Sequence, residues 1–275
     1  MFKVTSKDRP HTEDRFAAVI LAGSRASEED PLSEQENESL KSLIRLAGIP
    51  MIDYVLKAVM RSGYIDDIYV SINSETDLKD KAPLLNELRQ SGQVQLVDTE
   101  SGPSQSAAKA LESIAPDKNV LLTTADHPLL TRAILKEFLQ KSLRADCDAS
   151  LGVIPTDIIE NSYPRNKRTR LKFREGGYTG CNLFALMSAE ARKLPKYWEN
   201  VEDLRKSPVS LATYLGPLVL TQYLAGMLTL DGAMQKISNK TGLDVKAVRM
   251  HQPEAGIDVD NTEDLKLVKD IIQNY

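Results

Sequence analysis

Four short apolar runs, at residues 16–22, 68–72, 94–97 and 119–124, are separated by stretches in which apolar residues recur at helical spacing. Runs of Val, Ile, Leu and Ala with little polar alternation suit strands covered on both faces, and such cover comes from crossover helices. The expectation is an α/β fold with a mixed, mostly parallel sheet flanked by helices. Residues 50–62, "PMIDYVLKAVMRS", predict one such helix: a proline opens it, Ile52, Val55, Leu56 and Val59 share a face, and Gly63 follows its end. Further helices are predicted at 104–114, at 131–144 with Thr131 as cap, and at 262–272. Further strands are predicted at 149–154, 181–186 and 245–250, with a short one around Ile257. The 275 residues read as a single domain, 1–275, with a helical insertion at about 203–241. The segment 24–40, rich in Glu and Asp, reads as a mobile loop.

Charge and cysteine usage narrow the function. A net charge of -4 and a pI near 5.6 argue against a nucleic-acid partner, which needs a basic field. Cys147 and Cys181 have neither metal spacing nor a disulfide framework, and the N-terminal stretch lacks the apolar core of a signal peptide, so the expected compartment is the cytoplasm. Residues 209–228 are apolar enough to raise a membrane. Gly216, Pro217, Gln222 and several hydroxyls favour buried or lid-forming helices over a span; a membrane-surface role is open but not favoured, equally with a dimer interface or lid.

Several segments could carry chemistry. In "AAVILAGSR" the first strand runs into Leu21, Ala22, Gly23, Ser24 and Arg25, a small-residue turn whose N–H groups can approach a phosphate or base while Arg25 supplies charge. The pattern is neither a P-loop nor a dinucleotide fingerprint. In "KSLIRLAGIPMIDYVL" Lys41 precedes a hairpin-like element and can offer a point charge to a polyphosphate, unless it is ordinary solvated surface. In "TTADHPLL" a buried strand ends on Asp126, which is either a turn residue or a metal ligand; His127 reads as a hydrogen-bonding turn residue. "SGPSQSAAKAL" places Gly102 and Ser106 at a helix start, where capping and ligand contact are both open. "RNKRTRLKFR" carries six cations in ten residues; if extended, Arg168, Arg170, Lys172 and Arg174 share one face. A charge-protected edge strand is the competing reading. In "GYTGCNLFAL", Gly177 and Gly180 permit close approach and Asn182 offers both donor and acceptor groups.

The ordered set "LAGSR", "KSLIRLAGIPMI", "TTADHPLL" and "GIDVDNTEDLKLV" resembles the MobA-like nucleotidyltransferases, relatives of molybdenum-cofactor guanylyltransferase, isoprenoid-pathway cytidylyltransferases and sugar-nucleotide pyrophosphorylases. The resemblance implies a GT-A-like (Rossmann-like) fold and transfer of a nucleoside monophosphate from a nucleoside triphosphate to a small phosphorylated acceptor, with release of pyrophosphate and with Mg²⁺ as cofactor. It further implies a nucleotide loop at Leu21, Ala22, Gly23 and Ser24, with Gly102 and Ser106 at the base. Arg25 and Lys41 would meet phosphates. Asp126 and Asp258 would hold the metal, with Asp260 as the alternative to Asp258, since strand alternation sends both to one face. Arg168, Arg170, Lys172, Gly180 and Asn182 would meet the acceptor. CTP or GTP is the expected triphosphate, the serine-bearing loop leaning toward CTP.

One departure stands out: relatives carry Gly-Gly-x-Gly-x-Arg where this chain has Gly23, Ser24, Arg25 and then acids. A non-catalytic nucleotide-binding module is therefore one alternative. The other is a GT-A glycosyltransferase using a nucleotide sugar, for which "DVD" at 258–260 supplies a D-x-D.

Overall fold

A computed structural model describes residues 14–24, 30–73, 76–164, 169–199 and 207–274. The first half contains β1 (Phe16–Leu21), α1 (Pro31–Gln35), β2 (Arg45–Leu46), β3 (Ile49–Pro50), α2 (Met51–Arg61), β4 (Ile65–Ser71), α3 (Leu78–Lys81), α4 (Pro83–Gln90), β5 (Val94–Val97) and α5 (Pro103–Glu112). Next come β6 (Asn119–Thr124), α6 (Arg132–Ala145), β7 (Ala149–Pro155), α7 (Thr156–Ser162), β8 (Leu171–Phe173), β9 (Gly176–Leu186) and α8 (Leu194–Glu199). The chain continues through α9 (Pro208–Leu215), α10 (Pro217–Leu224), α11 (Leu230–Thr241), β10 (Val245–Arg249) and α12 (Thr262–Gln273).

Eight strands form one sheet in the order β10-β7-β9-β6-β1-β4-β5, with β8 pairing β9 from outside that path. β1 pairs in parallel with β4 and β6, β4 with β5, and β7 with β10. β9 runs antiparallel to β6, β7 and β8. The sheet is thus mixed and mostly parallel, as its apolar runs require. Along β1, Phe16, Ala18 and Ile20 enter one core while Ala17 and Val19 enter the other, and all five are fully buried. Period-two alternation between two apolar layers explains why the strand shows no polar alternation.

α6 shows how local chemistry sets an element. Thr131 accepts a hydrogen bond from Ile134 N at the start, Asp146 in the left-handed region ends the helix, and Ile134, Leu135, Phe138 and Leu139 face the core. Emptying the Phe138 site by substitution with Ala would cost about 3–5 kcal/mol.

The structure revises several sequence expectations. Within 24–40, the described residues include α1: Asp30 caps it through Leu32 N, Pro31 occupies its first turn, and Leu32 and Ser33 are buried. The acidic composition conceals a capped helix with one inward side. Around Ile257 no strand forms; a 3-10 turn at Pro253–Gly256 leads into extended chain whose Val259 N donates to Asp126 O at 2.8 Å. β9 starts five residues earlier than predicted, at Gly176. Among the described residues of the basic segment, Leu171–Phe173 form a strand, so Arg174 leaves the expected common face and its N–H donates to Leu228 O. Pro50 caps α2 from β3 instead of opening the helix.

Candidate active site

Because β1, β4, β5 and β6 are parallel, the residues after their last positions gather at one edge of the sheet, where open α/β folds place ligands. Ala22 N donates to Ser71 O and Ala125 N to Leu21 O, each at 2.8 Å, so the turns after β1 and β6 continue the sheet's pairing. This fixes Asp126 beside the loop that begins at Ala22. Lys41 opens a 3-10 turn at Lys41–Leu43, and the neighbouring Ser42 hydroxyl donates to Ala22 O at 2.6 Å, which ties that turn to the end of β1.

The chain returns to this point more than a hundred residues later. Gly256 lies so close to β7 and α7 that a Cβ on it would sit 2.6 Å from both Ile154 Cγ2 and Ile159 Cδ1. The segment that follows is thereby laid against the end of β6, and it brings Asp258 and Asp260 to Asp126. Ligand oxygens of these three carboxylates all lie within 4.8 Å of one another. Asn182 Nδ2 donates to Asp258 Oδ2 at 2.6 Å. Asn182 sits at an irregularity where two extra β9 residues are accommodated against β7, with φ of 49°, a conformation asparagine tolerates better than most residues. Asp260 N donates to Asp264 Oδ2, and Asn261 caps α12 through Asp264 N, so the helix start holds the acidic segment in place.

Lys41 is the counter-charge. Its Nζ lies 2.6 Å from Asp126 Oδ2 and 3.4 Å from Asp260 Oδ1. Burial works against the charged ammonium, but the Asp126 and Asp260 charges outweigh it and hold Lys41 protonated well above the ordinary lysine range. Burial likewise opposes charge on Asp126, yet the charge and hydrogen bond of Lys41 hold its carboxyl below the ordinary 3.8. Lys41 and Asp126 therefore form a charged pair at neutral pH, with the Asp258 and Asp260 carboxyl groups beside them.

That arrangement suits a hard divalent cation such as Mg²⁺, which takes oxygen ligands from one or two protein carboxylates and shares the rest with phosphate and water. Asp126 Oδ1 is buried and makes no well-formed hydrogen bond among the described residues, although the Thr124 hydroxyl lies near enough to favour the charged carboxylate. A buried carboxylate oxygen without a donor is costly unless a cation completes it.

The other sequence candidates take varied places. Gly23 is packed so tightly that a Cβ would lie 2.1 Å from Thr99 Cγ2 and 2.9 Å from Asn73 Oδ1, which itself accepts from Ser24 N. Two of the three N–H groups at Ala22, Gly23 and Ser24 are thus donated within the protein. Gly102 is the cap residue of α5, and Ser106 Oγ accepts from Glu100 N at 2.8 Å, closing the loop before that helix. Arg170 lies against Gly177 and 3.6 Å from Glu160, Lys172 is exposed on β8, and Gly180 is exposed on β9. Arg25 and Arg168 lie outside the described residues. His127 is buried, its Nε2 3.0 Å from Glu254 O, as expected of a turn residue. Asp260, the alternative to Asp258 by sequence, reaches the cluster together with it, and Asn73 and Thr99 adjoin the loop without a signal in the local pattern. The i, i+2 spacing of "DVD" was the available signal for Asp260.

The model of the MobA-like NTP transferase domain matches residues 18–161, more than half of the chain. Curated protein sequences gave no match. Among solved structures, a hypothetical transferase from Thermus thermophilus is 28% identical with a TM-score of 0.74, covering 91% of this chain and 99% of that one. A 4-diphosphocytidyl-2C-methyl-D-erythritol synthase from Anaerococcus prevotii is 16% identical with a TM-score of 0.54, covering 95% and 97%. A CMP:2-keto-3-deoxy-manno-octonic acid synthetase, solved with CTP, is 13% identical with a TM-score of 0.58, covering 94% and 99%. The last two share the fold. On the match of the family model over more than half of its length, this chain belongs to the MobA-like NTP transferase family.

Proposed function

We propose that the protein transfers a nucleoside monophosphate from a nucleoside triphosphate to a small phosphorylated acceptor and releases pyrophosphate. One observation carries the reading: Asp126, Asp258 and Asp260 converge with Lys41 at the carboxyl edge of the sheet, beside the Leu21–Ser24 loop. Asp126 and Asp258, with Asp260, would hold Mg²⁺, which when bound withdraws charge from phosphate oxygens.

The chain's own groups supply the rest. The Lys41 ammonium is kept protonated at neutral pH and can pass from carboxylate to phosphate oxygen as negative charge grows in the transition state. Leu21, Ala22, Gly23 and Ser24 offer close backbone approach to the nucleotide, with Arg25 as a further phosphate charge, and Gly102 and Ser106 border the base. CTP or GTP is the proposed donor. Asn182 fixes Asp258, while Gly180, Arg168, Arg170 and Lys172 are assigned to the acceptor side. An acceptor phosphate is ionised near neutral pH, so the attacking oxygen needs no protein base. The compartment we assign is the cytoplasm; no described helix is long and apolar enough to cross a membrane.

The test is a pyrophosphate-release assay with each triphosphate, Mg²⁺ and a panel of phosphorylated alcohols. Release that depends on one acceptor and disappears in Asp126→Ala is expected. Sugar transfer without pyrophosphate would favour the glycosyltransferase alternative, and nucleotide binding with no turnover on any acceptor the non-catalytic module.

A further inference from the structure

From Ser207 to Leu230 the sequence carries no Asp, Glu, Lys, Arg or His. The structure folds this stretch into α9 and α10 and leaves much of its apolar surface in water. Leu218 is 59% exposed, Leu224 66%, Met227 61% and Val209 47%, four of the six exposed large hydrophobic residues among the described ones. Val219 and Leu228 are buried in the adjoining core, so the hairpin is anchored on one side and open on the other. An apolar patch of this kind on an otherwise charged surface marks an interaction site.

Its surroundings say what kind of site. The Tyr223 hydroxyl lies 3.5 Å from Lys172 N, and Arg174 N donates to Leu228 O at 2.8 Å, so β8 and the turn after it border the hairpin. The Lys172 and Arg174 side chains are exposed and make no ion pair with described residues. The nearby acids are occupied elsewhere. Glu175 accepts from Leu230 N at 2.8 Å, Asp231 pairs with Arg249 at 2.9 Å, and Glu160 faces Arg170. The patch thus has an uncharged apolar centre and a cationic border, on a protein whose net charge is negative.

We propose that α9, α10 and β8 form a docking surface for an anionic phospholipid bilayer. Leu218, Leu224 and Met227 enter the interface between headgroups and acyl chains, and Lys172 and Arg174 meet lipid phosphates. Two eight-residue helices are far too short to span a bilayer, so the contact lies on the membrane surface. A second copy of the chain offers Lys172 and Arg174 no free acid through this patch, because the acids that border it are already engaged within the chain. The surface adjoins the Gly176 end of β9, whose Asn182 reaches the acidic cluster. Docking itself does not depend on the catalytic reading.

Flotation of the full chain, without nucleotide, on phosphatidylcholine vesicles with and without phosphatidylserine tests the proposal. Binding to the anionic vesicles alone, weakened by salt, is expected. Removing both cations in K172A/R174A should lower partitioning about thirtyfold, since each contributes about fivefold near an anionic surface. L218S/L224S/M227S should abolish binding. Hydrogen exchange of the wild type provides a readout independent of the variants: vesicles should protect amides of 208–228 and 171–174. Failure of the wild type to float, binding unchanged in both variants, or protection elsewhere overturns the proposal. A wild-type dimer dispersed by L218S/L224S/M227S, with no vesicle binding, makes the patch an interface between copies instead.

Discussion

Asp126→Asn changes one charge and almost no volume, which makes it the cleanest perturbation of the acidic cluster. Lys41 Nζ is 2.6 Å from Asp126 but 3.4 Å from Asp260, and the Asp126 side chain is 16% exposed against 60% for Asp260. Breaking a fully buried pair costs about 3–5 kcal/mol because a charge is left uncompensated. Here Lys41 keeps some solvent and retains Asp260 and Asp258 nearby, which lowers the expected loss to about 1–3 kcal/mol. Asp260→Asn should cost under about 1 kcal/mol, since its pair is exposed and its removal eases repulsion among three carboxylates. The pH dependence has a definite sign. Lys41 holds the folded-state pKa of Asp126 below the ordinary 3.8, so this stabilisation is complete above that value and is lost as pH falls through the folded value. The gap between wild type and variant should therefore be flat near neutrality and close only below about pH 4. Urea unfolding of the metal-free protein at several pH values measures it. Adding Mg²⁺ at about a hundred times its dissociation constant should stabilise the wild type by about 2.7 kcal/mol, or about 5–10 °C in Tm, and Asp126→Asn should erase that shift. Equal losses in the two variants, or a Mg²⁺ shift that survives in Asp126→Asn, would refute the assignment of Asp126 as the buried centre of the site.

Three further outcomes follow from particular contacts. Gly23→Ala should destabilise by about 1–3 kcal/mol and weaken triphosphate binding, because its Cβ meets Thr99 Cγ2; Thr99→Ser, which removes that methyl, should restore part of both in the double variant. Asn182→Gly keeps the left-handed backbone but loses the 2.6 Å hydrogen bond to Asp258, whereas Asn182→Ala loses both. Isothermal titration with Mg²⁺ should show similar weakening in the two, while denaturation shows Ala less stable than Gly by about 1 kcal/mol. Burial pushes the Cys147 thiol up to about 11 and raises Cys181 further still, so a disulfide-exchange reagent at neutral pH should label the folded protein far more slowly than the unfolded chain. Rapid labelling of Cys181 in the native state would contradict its burial.

The sequence alone determined the class of sheet and the identity of its carboxyl edge. Uninterrupted apolar runs such as residues 16–22 and 119–124 are stable only with both faces covered, and a small or acidic residue after each run marks where the strand stops. Those two facts made Asp126 legible as a strand-end residue, and the resemblance to a family linked it to Asp258. What the local pattern could not carry was anything set by contacts distant in the chain. α1 was hidden because acidic composition masks a single buried leucine, Leu32, whose partner surface comes from elsewhere in the fold. The basic run has the alternation of one long face if extended, but its cations part company because the chain turns at Arg174, whose N–H meets Leu228 O. Asp260 joins Asp126 and Lys41 only because Gly256 lets the last crossing of the chain pass within contact of Ile154 and Ile159. Strand periodicity is a local property and survives in the sequence; the meeting of residues 41, 126, 182 and 260 is a property of packing, and only the folded chain fixes it.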